Sequence, residues 1–145
     1  MATRCQIGFF ETMPATKAMC AELNKGSQPT ATALIYKHND GMPDRILTDL
    51  RAYLGRCERN NDPSYCAAWY LHTLICDHIQ TMKRIQSETD GIDYLGHGID
   101  NQYHCDLDFF YAVARGQIRA YCVNMRNGKW QALATETETT AGNAR

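Results

Sequence analysis

The pattern of hydrophobic and polar positions divides the chain into short strand-like and longer helix-like segments. Residues 4–11 and 32–38 are rich in β-forming side chains and predict two strands that pair antiparallel. Residues 12–32 lie between them, hold two prolines and a glycine, and predict an irregular excursion with a short helix near 15–23.

Two further segments carry apolar residues at helical spacing. In residues 44–56 these residues form one stripe, and Pro43 suits the first turn. The second helix is predicted to begin with Asp62 as its N-cap, followed by Pro63, and to end near Ser87. It has an apolar main face and a second side that contains Tyr65, Trp69, His72 and Cys76. Either another part of the chain or a second copy is expected to cover that side.

The last third of the chain predicts a meander of strands with a readable register. If residues 115–116 form a two-residue turn, Ala112 pairs with Arg119 and Phe110 pairs with Tyr121. One face of this hairpin is then apolar, whereas the other places aromatic rings beside a guanidinium. Such a face predicts either a site for a flat, phosphate-bearing ligand or a subunit interface.

These segments together predict one α+β ligand-binding domain over residues 1–133. Its sheet is expected to be antiparallel and to pack on two helices, the second of them long, along one face. Residues 134–145 show no periodicity and predict a flexible tail. The second side of the long helix and the aromatic face of the hairpin both favour a homo-oligomer, a dimer or a multiple of dimers.

Composition and charge exclude several classes of partner. The chain is 44% hydrophobic and 21% charged, with a formal net charge of -1, so no global field attracts a nucleic acid polymer. No apolar run approaches the roughly 18 residues of a membrane span. The seven cysteines form neither a C-x-x-C pair nor a zinc-finger pattern, which predicts reduced thiols in a cytoplasmic protein.

A loop rich in glycine follows the long helix and is the first candidate for binding. It holds Gly91, Gly96 and Gly98 without a phosphate-loop signature. It would bring backbone amides to an anion, close over a ligand, or simply connect two elements. His97, between two glycines, is the histidine expected to contact a ligand. Lys37 ends an apolar strand row, where its ammonium either reaches water or lies over a pocket rim.

The sequence offers little that favours catalysis. No serine or cysteine is tied by a motif to a particular histidine. Asp106 and Asp108, after His104, would suit a hard cation, although two acids at this spacing are more often solvated or paired with Arg4 or Arg119. We therefore expect no catalytic residue, no cofactor and no metal ion.

The order of these features resembles a family of phage proteins that act as sponges against Thoeris bacterial immunity. The resembling parts are "RCQIGFFE", "ALIYKHNDGMPD" running into a helix, the long helix, the glycine loop and "HCDLDFFYAV…IRAY". The resemblance implies a protein of the host cytoplasm that is not an enzyme. It would sequester cyclic ADP-ribose, or a cyclic oligonucleotide, between subunits and beneath the loop after the long helix.

The resemblance also implies contacts for particular residues. Lys37 and Arg119 would supply the basic contacts, Asn101 an amide and Tyr94 an aromatic ring; a lysine at 37 departs from the expected arginine and removes a bidentate phosphate contact. The complete set of expected ligand-binding residues is Lys37, Tyr94, Gly96, His97, Gly98, Asn101, Arg119 and Tyr121. The expected oligomer interface is Tyr65, Trp69 and His72.

Two other classes of function stay open at this point. One is an inhibitor that binds a host defence protein through Trp69 and its helix face. The other is a small metal-dependent nucleotide hydrolase that uses Asp106 and Asp108.

Overall fold

The computed structural model describes residues 2–85 and 96–134. Its elements in chain order are β1 (Cys5–Phe9), α1 (Thr16–Lys25), β2 (Ala33–Lys37), α2 (Pro43–Leu54), α3 (Pro63–Ile85), β3 (His97–Asp100), β4 (Phe109–Ala114), β5 (Gln117–Val123) and β6 (Trp130–Ala132). The predicted helix end at Ser87, Gly91, Tyr94 and the tail from residue 135 onward lie outside the described residues.

The described strands form one six-stranded mixed sheet in the order β3-β2-β1-β4-β5-β6. β1 pairs antiparallel with β2 but parallel with β4, and the other neighbouring strands pair antiparallel. The predicted α+β class is confirmed, whereas the prediction of a purely antiparallel sheet is wrong. Parallel neighbours need a long crossover between them, and residues 10–108, which join β1 to β4, provide it.

The β4–β5 hairpin has the register that the sequence predicted. Ala112 pairs with Arg119 and Phe110 pairs with Tyr121. The turn residues 115–116 both have positive φ, 49° and 79°, as a tight hairpin turn that follows the twist of the strands requires. The local pattern of turn and alternation therefore determined this part of the fold.

Helices α2 and α3 cover one face of the sheet, which we name the two-helix face. Tyr70 of α3 contacts Phe9 of β1 at 6.0 Å between ring centroids and Tyr53 of α2 at 5.5 Å. The Tyr111 hydroxyl of β4 donates to the Gly41 carbonyl at 2.7 Å. The other buried sheet residues in this core include Ile7, Ile35, Val113 and Ala120.

Helix α1 covers the opposite face, which we name the one-helix face. Met19 and Leu23 pack there on Phe110 and Tyr121, both of which are 0% exposed. The predictions that helices lie on one face of the sheet and that the aromatic side of the hairpin is open are therefore wrong. The cause is α1, the short helix predicted near residues 15–23, whose two apolar residues at i and i+4 bury those rings.

The glycine loop also differs from its prediction where the structure describes it. Residues 97–100 form the edge strand β3, in which His97 pairs with Lys37 and Asp100 pairs with Leu34. Backbone hydrogen bonds define this strand, and the sequence "HGID" lacks the alternation by which strands are recognised.

Gly8 in β1 generates a first prediction about stability. A Cβ at this position would lie 2.8 Å from Cε2 of Phe10 and 2.8 Å from Cζ of Phe110, and both rings are buried. We expect Gly8→Ala to lower the free energy of unfolding by about 1–3 kcal/mol, because tightly packed rings must move. Urea denaturation followed by circular dichroism measures this change.

Gly98→Ala is the matched control for Gly8→Ala. A Cβ at Gly98, also in a strand, meets no atom of the described residues within 4 Å. Its unfolding free energy is expected to stay within about 0.5 kcal/mol of the parent protein. Equal losses in the two variants would contradict the packing explanation.

Candidate functional site

Most of the predicted ligand-binding residues that the structure describes lie along the β2–β3 edge of the sheet. Lys37 pairs with His97, and the Gly96 carbonyl accepts a hydrogen bond from the backbone N–H of His38 at 2.9 Å. Gly98 lies in β3, and Asn101 follows it as an exposed residue. Five predicted residues (Lys37, Gly96, His97, Gly98 and Asn101) are therefore brought together.

Arg119 and Tyr121 lie elsewhere in the protomer. They belong to β5, three strands from β2, which corresponds to roughly 14 Å at the usual strand spacing. Arg119 Nη1 donates to the Pro14 carbonyl at 3.0 Å, at the entry to α1, and Tyr121 is buried beneath that helix. The structure thus does not assemble all predicted residues into one site within a protomer, because Arg119 faces α1 and Lys37 faces the opposite side.

Lys37 is the unusual residue of the β2–β3 edge. It is 8% exposed and lies on the two-helix face between His97 of β3 and Cys5 of β1. Within residues 2–85 and 96–134 its ammonium makes no ion pair. The residue is buried as a whole, but its Nζ is not among the fully enclosed side-chain atoms that lack a partner. The stem is therefore buried while the ammonium reaches the surface, which fits both expectations for Lys37, an ammonium in water and an ammonium over a pocket rim.

Cys5 does not provide that counter-charge. Burial raises the pKa of its thiol to about 12, and the Lys37 ammonium acts in the opposite direction as a weaker influence. The thiol is therefore neutral near pH 7. Lys37 consequently has a neutral strand neighbour on this side.

A polar cluster occupies the one-helix face at the same edge of the sheet. His104 stacks on Tyr36 with ring centroids 4.4 Å apart, and its Nε2 lies 3.1 Å from Asp100 Oδ2. Gln6, which is 0% exposed, donates from Nε2 to Asp100 Oδ2 and to the Gln102 carbonyl, each at 2.9 Å. These contacts hold the segment after β3 against the sheet.

Sequence reasoning missed Gln6 and Tyr36 in this cluster. The signal for Gln6 was present: an amide inside the strand "CQIGF" must find partners if the strand is buried on both faces. Tyr36 offered no comparable signal, because tyrosine is an ordinary strand residue.

The two acids considered as metal ligands are engaged by one arginine. Arg4 Nη1 lies 2.6 Å from Asp106 Oδ2, and the Arg4 backbone N–H donates to Asp108 Oδ2 at 2.8 Å. Within the part of the chain that the structure describes, no three His, Cys, Asp or Glu residues are grouped to hold a metal ion. Arg4 was one of the partners expected for these acids.

The residues predicted to form an oligomer interface make an aromatic row along α3. The Tyr65 and Trp69 rings lie 4° from parallel with centroids 6.5 Å apart, and Trp69 is 5.3 Å from His72. Trp69 is 47% exposed, and the Arg59 guanidinium lies 4.7 Å from the centre of the Tyr65 ring. Self-association through this row stays a prediction.

No family model, curated protein or solved structure matches the chain. The resemblance to phage sponges therefore stays an expectation from the order of sequence features. Among the described residues, no helix combines the length and the apolar character needed to cross a membrane.

The raised pKa of Cys5 predicts how stability depends on pH. The unfolded thiol ionises near its ordinary value of 9.0, whereas the folded thiol ionises near 12. Between these values the unfolded chain binds fewer protons than the folded one, so the free energy of unfolding falls as the pH rises above about 9. We expect Cys5→Ala to reduce this slope by up to about 1.4 kcal/mol per pH unit, measured by urea denaturation between pH 7 and pH 11.

Cys105→Ala serves as the control for the pH prediction, because Cys105 is exposed. Its alkaline slope is expected to equal that of the parent protein. A Cys5→Ala variant with an unchanged slope would show that Cys5 does not contribute.

Proposed function

We propose that this chain is a non-catalytic binding protein that takes up a cyclic nucleotide and holds it intact. The ligand class is a cyclic ADP-ribose isomer or a cyclic di- or trinucleotide. The observation that carries the proposal is the burial of Lys37, which has no anionic partner among the described residues. A phosphate at the β2–β3 edge supplies the charge that the fold itself does not supply there.

The surroundings of Lys37 favour a small ligand over a polymer. Cys5 on one side is neutral, and His97 on the other adds a ring with nitrogen donors and acceptors. A polymer is held by many phosphate contacts along a basic track, whereas this chain has a formal net charge of -1. One ammonium at the end of a buried stem is suited to one phosphate group of a compact ligand.

The contacts of the acids favour binding over hydrolysis. The Arg4 guanidinium pairs with Asp106 and offsets its negative charge, and the Arg4 backbone N–H donates to Asp108, so both acids are engaged by contacts other than a catalytic metal ion. A protein that binds a signal without changing it lowers the free concentration of that signal in proportion to its own amount. This is the sponge role in phage counter-defence that the sequence resemblance suggests.

Substitution of Lys37 tests the proposal. We expect calorimetry with cyclic ADP-ribose isomers and cyclic dinucleotides to detect binding to the parent protein, and Lys37→Met to weaken it by at least about tenfold through loss of one charged hydrogen bond. The ligand released by heating should be chemically unchanged. Lys129→Met, in the exposed turn before β6, makes the same change in net charge and should bind as the parent does.

The stability of Lys37→Met separates lost binding from unfolding. Without ligand, this variant should unfold at about the same urea concentration as the parent, because methionine keeps the packing of the lysine stem and no ion pair of the described residues is lost. No binding to any of these nucleotides, or undiminished binding by Lys37→Met, would refute the proposal. A converted product would instead identify an enzyme.

A further inference from the structure

A cleft lies between the C-terminal end of α2 and the middle of α3, and Lys37 is not among its lining residues. Its volume is about 290 Å³, and its lining includes Arg56, Trp69, His72, Cys76 and Asp77. The cleft therefore combines a thiol, an imidazole, a flat ring and one charge of each sign. None of these groups belongs to the site at the β2–β3 edge.

Cys76 and His72 are paired in this cleft. They lie one helical turn apart on α3, and Sγ of Cys76 is 3.6 Å from Nε2 of His72. In the tautomer whose Nε2 carries no hydrogen, the His72 imidazole is positioned to accept the thiol proton, and the thiolate is the reactive form of cysteine. The Arg56 guanidinium lies on the wall of the same cleft.

The other cysteines make no hydrogen bond to a histidine within the described residues, and this includes the half-buried Cys20 and Cys122. Cys5, Cys57 and Cys66 are buried, and burial raises the pKa of Cys5 and of Cys66 to about 12. Cys105 is exposed but has no imidazole hydrogen bond among the described residues, so it is a natural comparison for solvent access alone. Cys76 combines partial exposure to solvent with an imidazole nitrogen 3.6 Å from its sulfur.

We propose that Cys76 is a site of reversible modification by a peptide disulfide of the glutathione class. His72 takes the proton of the Cys76 thiol, and the thiolate attacks one sulfur of oxidised glutathione. The Cys76–glutathione bond forms as the disulfide of the reagent breaks, and the departing glutathione thiolate leaves with the electron pair. Excess reduced glutathione reverses the exchange.

The charges of the cleft fit this reagent. Glutathione carries carboxylates and an ammonium, and Arg56 and Asp77 offer one charge complementary to each. Trp69, 47% exposed, provides a flat wall for the peptide backbone. The inference is independent of the function proposed for Lys37, because it uses a different site and different chemistry.

The experiment treats the reduced full-length protein with oxidised glutathione and maps the modified cysteine by mass spectrometry over time. We expect Cys76 to react at least about tenfold faster than Cys105 at pH 7, and dithiothreitol to restore the free thiol. Cys76→Ser should abolish the fast phase.

The role of His72 is tested with His72→Gln, which replaces an exposed side chain. This variant should slow the reaction of Cys76 by at least about tenfold and remove the histidine step from its pH–rate profile. The rate at Cys105 in the same sample should be unchanged, which shows that the effect is confined to Cys76, and an unchanged circular dichroism spectrum shows that the fold is intact. A Cys76 rate equal to or below that of Cys105, or unaltered by His72→Gln, would overturn the proposal. Protection of Cys76 by a second copy on the aromatic row would overturn it as well.

Discussion

The burial of strand β1 on both faces is the constraint on which the rest of the structure depends. All five of its residues, Cys5–Phe9, are buried between β2 and the parallel strand β4. Every side chain of β1 must therefore fit a core. Gln6 finds hydrogen-bond partners in Asp100 and in the Gln102 carbonyl, and Gly8 leaves the space that aromatic rings occupy. A central strand of this kind needs a covering layer on each side, which explains why α1 lies opposite α2 and α3.

Local patterns predicted the elements better than they predicted how those elements assemble. The hairpin register followed from alternation and a two-residue turn, because both are properties of adjacent residues. The parallel contact of β1 with β4 joins residues about a hundred positions apart, and alternation does not encode which strand returns beside which. The short helix predicted near residues 15–23 is present as α1, but its sequence does not indicate that it packs on the second face of the hairpin, which therefore looked open.

The same distinction explains how much of the candidate site was predictable. Lys37 was recognisable as a charge that ends an apolar row, but its neighbours depended on β3, which has no strand-like pattern. Arg119 was correctly assigned to one side of the hairpin. Sequence did not reveal that β5 lies three strands from β2, or that the side of Arg119 is opposite that of Lys37. Sequence alone therefore places Lys37 and Arg119 in one predicted site, although in a protomer they lie three strands apart and on opposite faces of the sheet.

Gln6 and Lys37 illustrate two outcomes for buried polar groups in adjacent strands. The fold completes the hydrogen bonds of Gln6 through the segment after β3, so this amide contributes to stability. It brings no carboxylate of the described residues to Lys37, although Asp106 and Asp108 lie near the same end of the sheet, where both engage Arg4. A packing requirement alone would be met at position 37 by an apolar side chain of similar length. A lysine adds to that packing an ammonium at the surface end of the strand, and an anion bound there would stabilise the folded protein by mass action.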